Sequence, residues 1–254
     1  MKRNWIYKPF NSVSVILAFF FIALLTISTI LVRPLDLSLR KGIYTAVCLV
    51  TFVCFFIYKR DLSRDKEYDR IVGNMGGFNW WGELPLQLCN INMMIMPIGV
   101  WLDHRGLMGF AFFAGTLGAS IALSMPANGF SGYSIFLPRM VGYLFNHYMI
   151  VMEAIALVTY GFYSPEFTDI PVIMISFFLI SCGIYLINLL LRKTGLHPHA
   201  NYFYINETEG NPVMELFYKF IPVPFWYALP CLLVLLVYML VIIGGFSLFR
   251  SILR

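Results

Sequence analysis

The stretch LPLQLCNINMMIMPIGVWL, Leu84 to Leu102, is apolar enough to enter a bilayer, yet its first half carries Gln87, Cys89, Asn90 and Asn92. A polar atom in hydrocarbon is costly unless another group meets it, so such side chains turn toward the protein interior and mark a site. The segment therefore reads as a membrane-spanning helix with an inward-facing polar patch. Pro97 lies inside it and should kink it by freeing a carbonyl.

Downstream, Asp103 to Gly106 makes a tight turn, and a fourth apolar run covers 107–125. Gly115, Gly118 and Ser120 in that run permit close helix approach. PANGFSG, Pro126 to Gly132, has turn chemistry. A fifth span, 138–160, carries His147 and Glu153, and a sixth covers 170–191. A polar loop, Arg192 to Asn211, holds His197 and His199, which lack a third metal ligand and read as solvent-exposed. An amphipathic segment, 213–221, precedes a seventh span at 225–248. Upstream, Gly73, Gly76 and Gly77 lead into Phe78, Trp80 and Trp81, an interfacial aromatic belt. Two further apolar runs, 12–32 and 42–58, come earlier, the first too long for the core of a cleaved leader.

The expected fold is thus an all-α polytopic membrane protein. It is one domain, 1–254, with seven transmembrane helices at about 12–32, 42–58, 84–102, 107–125, 138–160, 170–191 and 225–248. Composition agrees: 59% of residues are hydrophobic and 12% charged, where a globular chain has about a quarter charged. The net charge of +5 comes from residues at span ends, not from a stripe, which excludes a nucleic-acid surface. Of the 18 Lys and Arg residues, twelve fall on the side holding the N-terminus: Lys2, Arg3, Lys8, Lys59, Arg60, Arg64, Lys66, Arg70, Arg139, Arg192, Lys193 and Lys219. Arg33, Arg40, Lys41, Arg105, Arg250 and Arg254 fall on the other. That asymmetry puts the N-terminus in the cytoplasm and the C-terminus outside.

Of five cysteines, Cys48, Cys54, Cys182 and Cys231 have apolar or small neighbours and read as inert. Cys89 differs in its polar surroundings. His147 is the one histidine at membrane depth. Counted from Leu84 and Pro138, and at about 1.5 Å per residue, Cys89 and His147 lie roughly 8 and 14 Å into parallel helices, within the slack of the boundaries. A thiol becomes a good nucleophile as thiolate, and an imidazole within reach can take its proton and later return it. Asn90, Asn92, Asn146, Asn188, Tyr143 and Tyr148 are the candidates to orient the imidazole or hold an oxyanion, and Gln87 shares the patch. Glu153 is the one acid well inside a span; six positions from His147, it lies off that residue's face and reads as a hydrogen-bond acceptor for a neighbouring helix.

LPLQLCNI with Glu83 before it, the histidine of LFNHYMIV, Asn188-Leu-Leu-Leu, Asn201-Tyr202 and Pro224-Phe225-Trp226-Tyr227 together resemble the YwaF-like bacterial membrane proteins. Those are similar to the animal transmembrane protein 164 family. The resemblance covers roughly Phe78 to Leu240. It implies a lipid acyltransferase of the bacterial cytoplasmic membrane, with Cys89 as the acyl-accepting nucleophile and His147 as its base. A phospholipid would be the acyl donor and a lyso-lipid the acceptor, with no cofactor and no metal. The alternative is a transporter or an accessory subunit of an envelope complex. Coupled carriers bury several ionisable groups, whereas these spans offer only Glu153 and His147.

Overall fold

The computed structural model describes residues 5–73 and 77–252. Lys2, Arg3, Gly76 and Arg254, used in the readings above, lie outside that range. The helix α1 (Ser12–Val32) begins at Asn11, whose side chain accepts the Ser14 N–H at 2.9 Å. The second, α2 (Leu37–Leu62), overruns both ends of the expected 42–58. Asp36 caps it by accepting the Leu39 N–H, and the flanking Arg40, Lys41, Lys59 and Arg60 are helical. A short α3 (Lys66–Ile71) follows, capped by Asp65.

The helix α4 (Leu88–Trp101) is shorter than the expected 84–102, and α5 (Arg105–Ser124), α6 (Pro138–Thr159) and α7 (Ile170–Lys193) follow the next three runs closely. The amphipathic segment forms α8 (Pro212–Phe220). The last span, α9 (Pro230–Ile252), starts later than the expected Phe225, because Trp226–Ala228 makes a separate 3₁₀ turn and Phe225 sits at φ +67°. The all-α expectation also misses a small antiparallel ribbon of β1 (Ile6–Tyr7) and β2 (Tyr133–Ser134). With the Tyr7 hydroxyl donating to Leu123 O at 2.7 Å, the ribbon ties the start of the chain to the loop before α6.

Among the described residues, six helices are long and apolar enough to cross a membrane: α1, α2, α5, α6, α7 and α9, the last two extended by their adjoining 3₁₀ turns. The seventh apolar helix, α4, has 14 residues, or roughly 21 Å at helical rise. At the centre are α5 and α6, each 61% buried over its most apolar stretch, against 6% for α1 and 17% for α9. Phe19, Phe20 and Leu31 on α1, Leu179 and Leu186 on α7, and Leu233 and Val241 on α9 face outward, as lipid contact requires. Close approach inside comes from small residues. A Cβ added to Gly142 of α6 would collide with the Tyr58 ring of α2.

At the end of the bundle away from the N-terminus, Arg105 holds the buried Asp169 through Nε at 2.5 Å and a second nitrogen at 3.0 Å. The Tyr163 hydroxyl donates to the same carboxylate at 2.8 Å. Opposite this closed end lies the end from which α4 and α6 both start.

Candidate active site

Leu84 to Gln87 does not continue α4 upstream. Pro85 has no N–H to donate and disfavours helical geometry at Leu84, so the chain arrives through a tight turn, with the Leu86 N–H on Leu84 O at 2.7 Å, and the helix begins at Leu88. Three hydrogen bonds to the segment around residue 200 hold this approach. The Tyr202 hydroxyl accepts the Leu84 N–H at 3.0 Å and donates to Trp81 O at 2.6 Å. Gln87 Oε1 accepts the Phe203 N–H at 3.0 Å. The first hydrogen bond of the α4 ladder runs from Ile91 N–H to Gln87 O at 2.9 Å. Cys89 therefore lies in the first turn, where its own N–H and that of Asn90 precede the ladder at the positive end of the helix.

His147 projects from the third turn of α6. Its Nε2 is 3.6 Å from Cys89 Sγ, and its Nδ1 is 2.8 Å from Tyr143 O on its own helix. A carbonyl can only accept, so Nδ1 carries the hydrogen, and the lone pair of Nε2 faces the sulfur. Tyr143 does more than lend its carbonyl. Its ring lies 4.4 Å from the imidazole, its hydroxyl donates to Ala122 O at 2.5 Å, and Phe130 stacks on its other side at 4.4 Å. Phe130 comes from PANGFSG, whose turn relies on Gly129 and Gly132 at φ +90° and +84°. That turn thus builds one wall of the site.

Asn90 Oδ1 accepts from Asn146 Nδ2 at 2.8 Å and lies 3.7 Å from Cys89 Sγ. Asn146 Oδ1 is buried with no protein partner among the described residues, an open acceptor beside the pair. The other supporting residues expected from sequence stand apart. Asn92 donates to Leu88 O at 2.6 Å on its own helix and packs toward Gly115 of α5. Asn188 is not brought to Cys89 or His147: its Nδ2 donates to Tyr202 O at 3.0 Å and its Oδ1 accepts the Tyr202 N–H at 2.9 Å. Depth alone could not tell that its amide would be used up by a backbone. Glu153 accepts from Thr51 at 2.5 Å, away from His147.

The sequence reading passed over Lys59, Tyr68 and Tyr204. Lys59 forms an ion pair with Glu83, just ahead of Cys89 in the chain. Burial, then the charges of Glu209, Cys89 and Glu83, push the Tyr204 hydroxyl up to about 12, so it stays protonated. His197 is only partly exposed, its ring pressed against Gly82. Burial, then His199, hold its imidazole below the usual histidine range. Among the described residues, no group of three or more His, Cys, Asp or Glu side chains is placed to hold a metal ion.

The sequence model of the TMEM164 family matches residues 6–243. The chain belongs to the TMEM164 family. The match runs from β1 into α9, so the first two helices, generic in sequence, fall within it as well as the site. No curated protein and no solved structure matches this TMEM164-family chain. With its six apolar spans, it is an integral membrane protein.

Proposed function

We propose that this protein is a lipid acyltransferase that works through a thioester on Cys89, with His147 as its base. One observation carries the reading: a thiol 3.6 Å from an imidazole nitrogen whose partner nitrogen is held by a backbone carbonyl. In the first half-reaction Sγ attacks an ester carbonyl of a phospholipid while Nε2 takes the thiol proton. The carbon–oxygen ester bond breaks, the lyso-lipid oxygen leaves with that proton, and the acyl chain stays on sulfur. In the second, the hydroxyl of a lyso-lipid acceptor gives its proton to Nε2 and attacks the thioester. The thiolate leaves and takes the proton back. Developing negative charge on the carbonyl oxygen would be met by the N–H groups of Cys89 and Asn90 at the α4 terminus.

In this proposal α4 completes a seventh crossing, with the turn from Leu84 that leads into it making up the depth its 14 residues lack. The N-terminus and the site then face the cytoplasm and the C-terminus lies outside, and the chain is a YwaF-like member in a bacterial cytoplasmic membrane. The test follows a radiolabelled acyl chain in purified protein. Cys89→Ser should lose the hydroxylamine-sensitive label on the protein, and His147→Ala should slow its appearance by about 10²–10⁴-fold, the usual contribution of a general base. Undiminished turnover in both variants overturns the enzyme reading in favour of a transporter or accessory subunit.

A further inference from the structure

Lys59 stands in the last turn of α2, and Glu83 in the segment leading into α4; the two form an ion pair whose side chains are only 11% and 17% exposed. The Glu83 carboxylate also accepts from the Tyr68 hydroxyl at 3.4 Å. The Lys59 ammonium lies 4.8 Å from the Tyr58 ring centroid and 5.2 Å from that of Phe55, a sheltered aromatic seat for a cation. Tyr58, beside Lys59, packs on Gly142 of α6, the helix that carries His147, and Glu83 lies six residues ahead of Cys89. A pair this sheltered gives up much of its hydration, and two apolar side chains would pack the same space with no such cost.

Three other cations near this end of α2 and α6 are differently placed. Arg139 is buried and held by Asp65 at 2.7 Å and Glu67 at 2.8 Å, while Arg60 and Arg64 point to solvent. Lys59 alone among these four combines shelter, a single carboxylate and nearness to the thiol. Depth matches as well. Lys59 follows Tyr58, whose side chain packs on Gly142 of α6, five residues nearer the start of that helix than His147, or about 7.5 Å at helical rise. In a glycerophospholipid the ester carbonyls lie a few bonds below the phosphate. A donor with its carbonyl at Sγ would carry its phosphate at the level of Lys59.

Resting on the acyl-transfer reading above, we infer that Lys59 binds the phosphate of the acyl donor, and that Glu83 holds Lys59 in place while the site is empty. Phosphate displaces the carboxylate, which keeps the Tyr68 hydroxyl as its partner. Position favours a glycerophospholipid over a soluble acyl thioester, though both carry phosphate.

The experiment compares thioester formation on the full chain from phosphatidylglycerol, palmitoyl-CoA and diacylglycerol. Lys59→Gln should raise KM for a phosphate-bearing donor at least tenfold relative to diacylglycerol, with kcat falling less, and Lys59→Arg should restore most of that ratio. A ratio confined to phosphatidylglycerol assigns a lipid phosphate, and one confined to palmitoyl-CoA assigns a soluble donor. An unchanged ratio overturns the inference, as does an equal loss with all three donors. A second arm needs no turnover. In a Cys89→Ala background, native mass spectrometry should show phosphatidylglycerol retained over diacylglycerol, and Lys59→Gln should abolish that preference. If no donor acylates Cys89 but the preference is found and lost as described, the acyl-transfer reading fails while phosphate binding at Lys59 stands; no preference overturns the inference itself.

Discussion

His147 is oriented without help from a carboxylate. The Tyr143 carbonyl, one turn back on the same helix, takes Nδ1 at 2.8 Å, and the Tyr143 ring confines the imidazole plane. The sulfur is fixed by a different device, since Gln87 joins the α4 terminus to Phe203. Gln87→Ala would leave the Phe203 N–H without its acceptor, costing about 1 kcal/mol of stability and more in acyl-transfer rate, because the first turn of α4 loses its tether. Gln87→Glu keeps an acceptor and should retain most of both, as thermal unfolding and label transfer would show. Residue by residue, the sequence was most readable where spacing decides contact. Counting rises leaves Cys89 and His147 about 6 Å apart in depth, within the slack of the helix ends, and their atoms lie 3.6 Å apart. It was least readable where a polar side chain had several possible partners. By depth Asn188 reads as a neighbour of the thiol, yet its amide pairs with the Tyr202 backbone. Lys59 was counted only as a flanking charge, because nothing local marks the Glu83 partner that a fold brings to it.

Among the elements, contact quality is set by glycine. Gly142 of α6 meets the Tyr58 side chain so closely that Gly142→Ala must push α2 and α6 apart, and it should cost about 1–3 kcal/mol. Gly118 of α5 leaves ordinary room, its added Cβ falling 3.5 Å from Leu88 and 3.6 Å from the Cys89 nitrogen. Gly118→Ala should therefore leave the unfolding temperature in detergent nearly unchanged while Gly142→Ala lowers it by several degrees. The short α3 is fastened to α6 by charge. Burial would raise the Asp65 carboxyl, but hydrogen bonds from Arg139 and the Tyr68 N–H outweigh it and hold the group below its usual 3.8. That contribution to stability is complete above the unfolded value and is lost as pH falls through the lower folded one. Melting temperature should therefore drop more steeply below about pH 4 in the native chain than in Asp65→Asn, measured across an acid series. Apolar runs located the spanning elements from sequence, but their ends depended on caps and prolines. Asp36 lengthens α2, while Pro85 delays the start of α4.

For the whole molecule, the disposition of α4 decides on which side each end lies. If α4 crosses, Ser63 and Ser251 face opposite compartments. Cysteine placed at Ser63 should react with a membrane-impermeant maleimide only from the cytoplasmic side, and cysteine at Ser251 only from outside. Labelling of both from one side would leave six crossings. The inward architecture also carries a consequence for how the protein is made. Cys89 leaves the ribosome early, yet the backbone group that tethers its helix, Phe203 N–H, is 116 residues beyond Gln87. At about 5–20 residues per second that interval is on the order of 10 s. During it the thiol is already in the bilayer, on a helix whose entry segment is unmoored. On the acyl-transfer reading, the nucleophile is thus made before the residue that moors its helix, and the site closes around it only when Phe203 arrives.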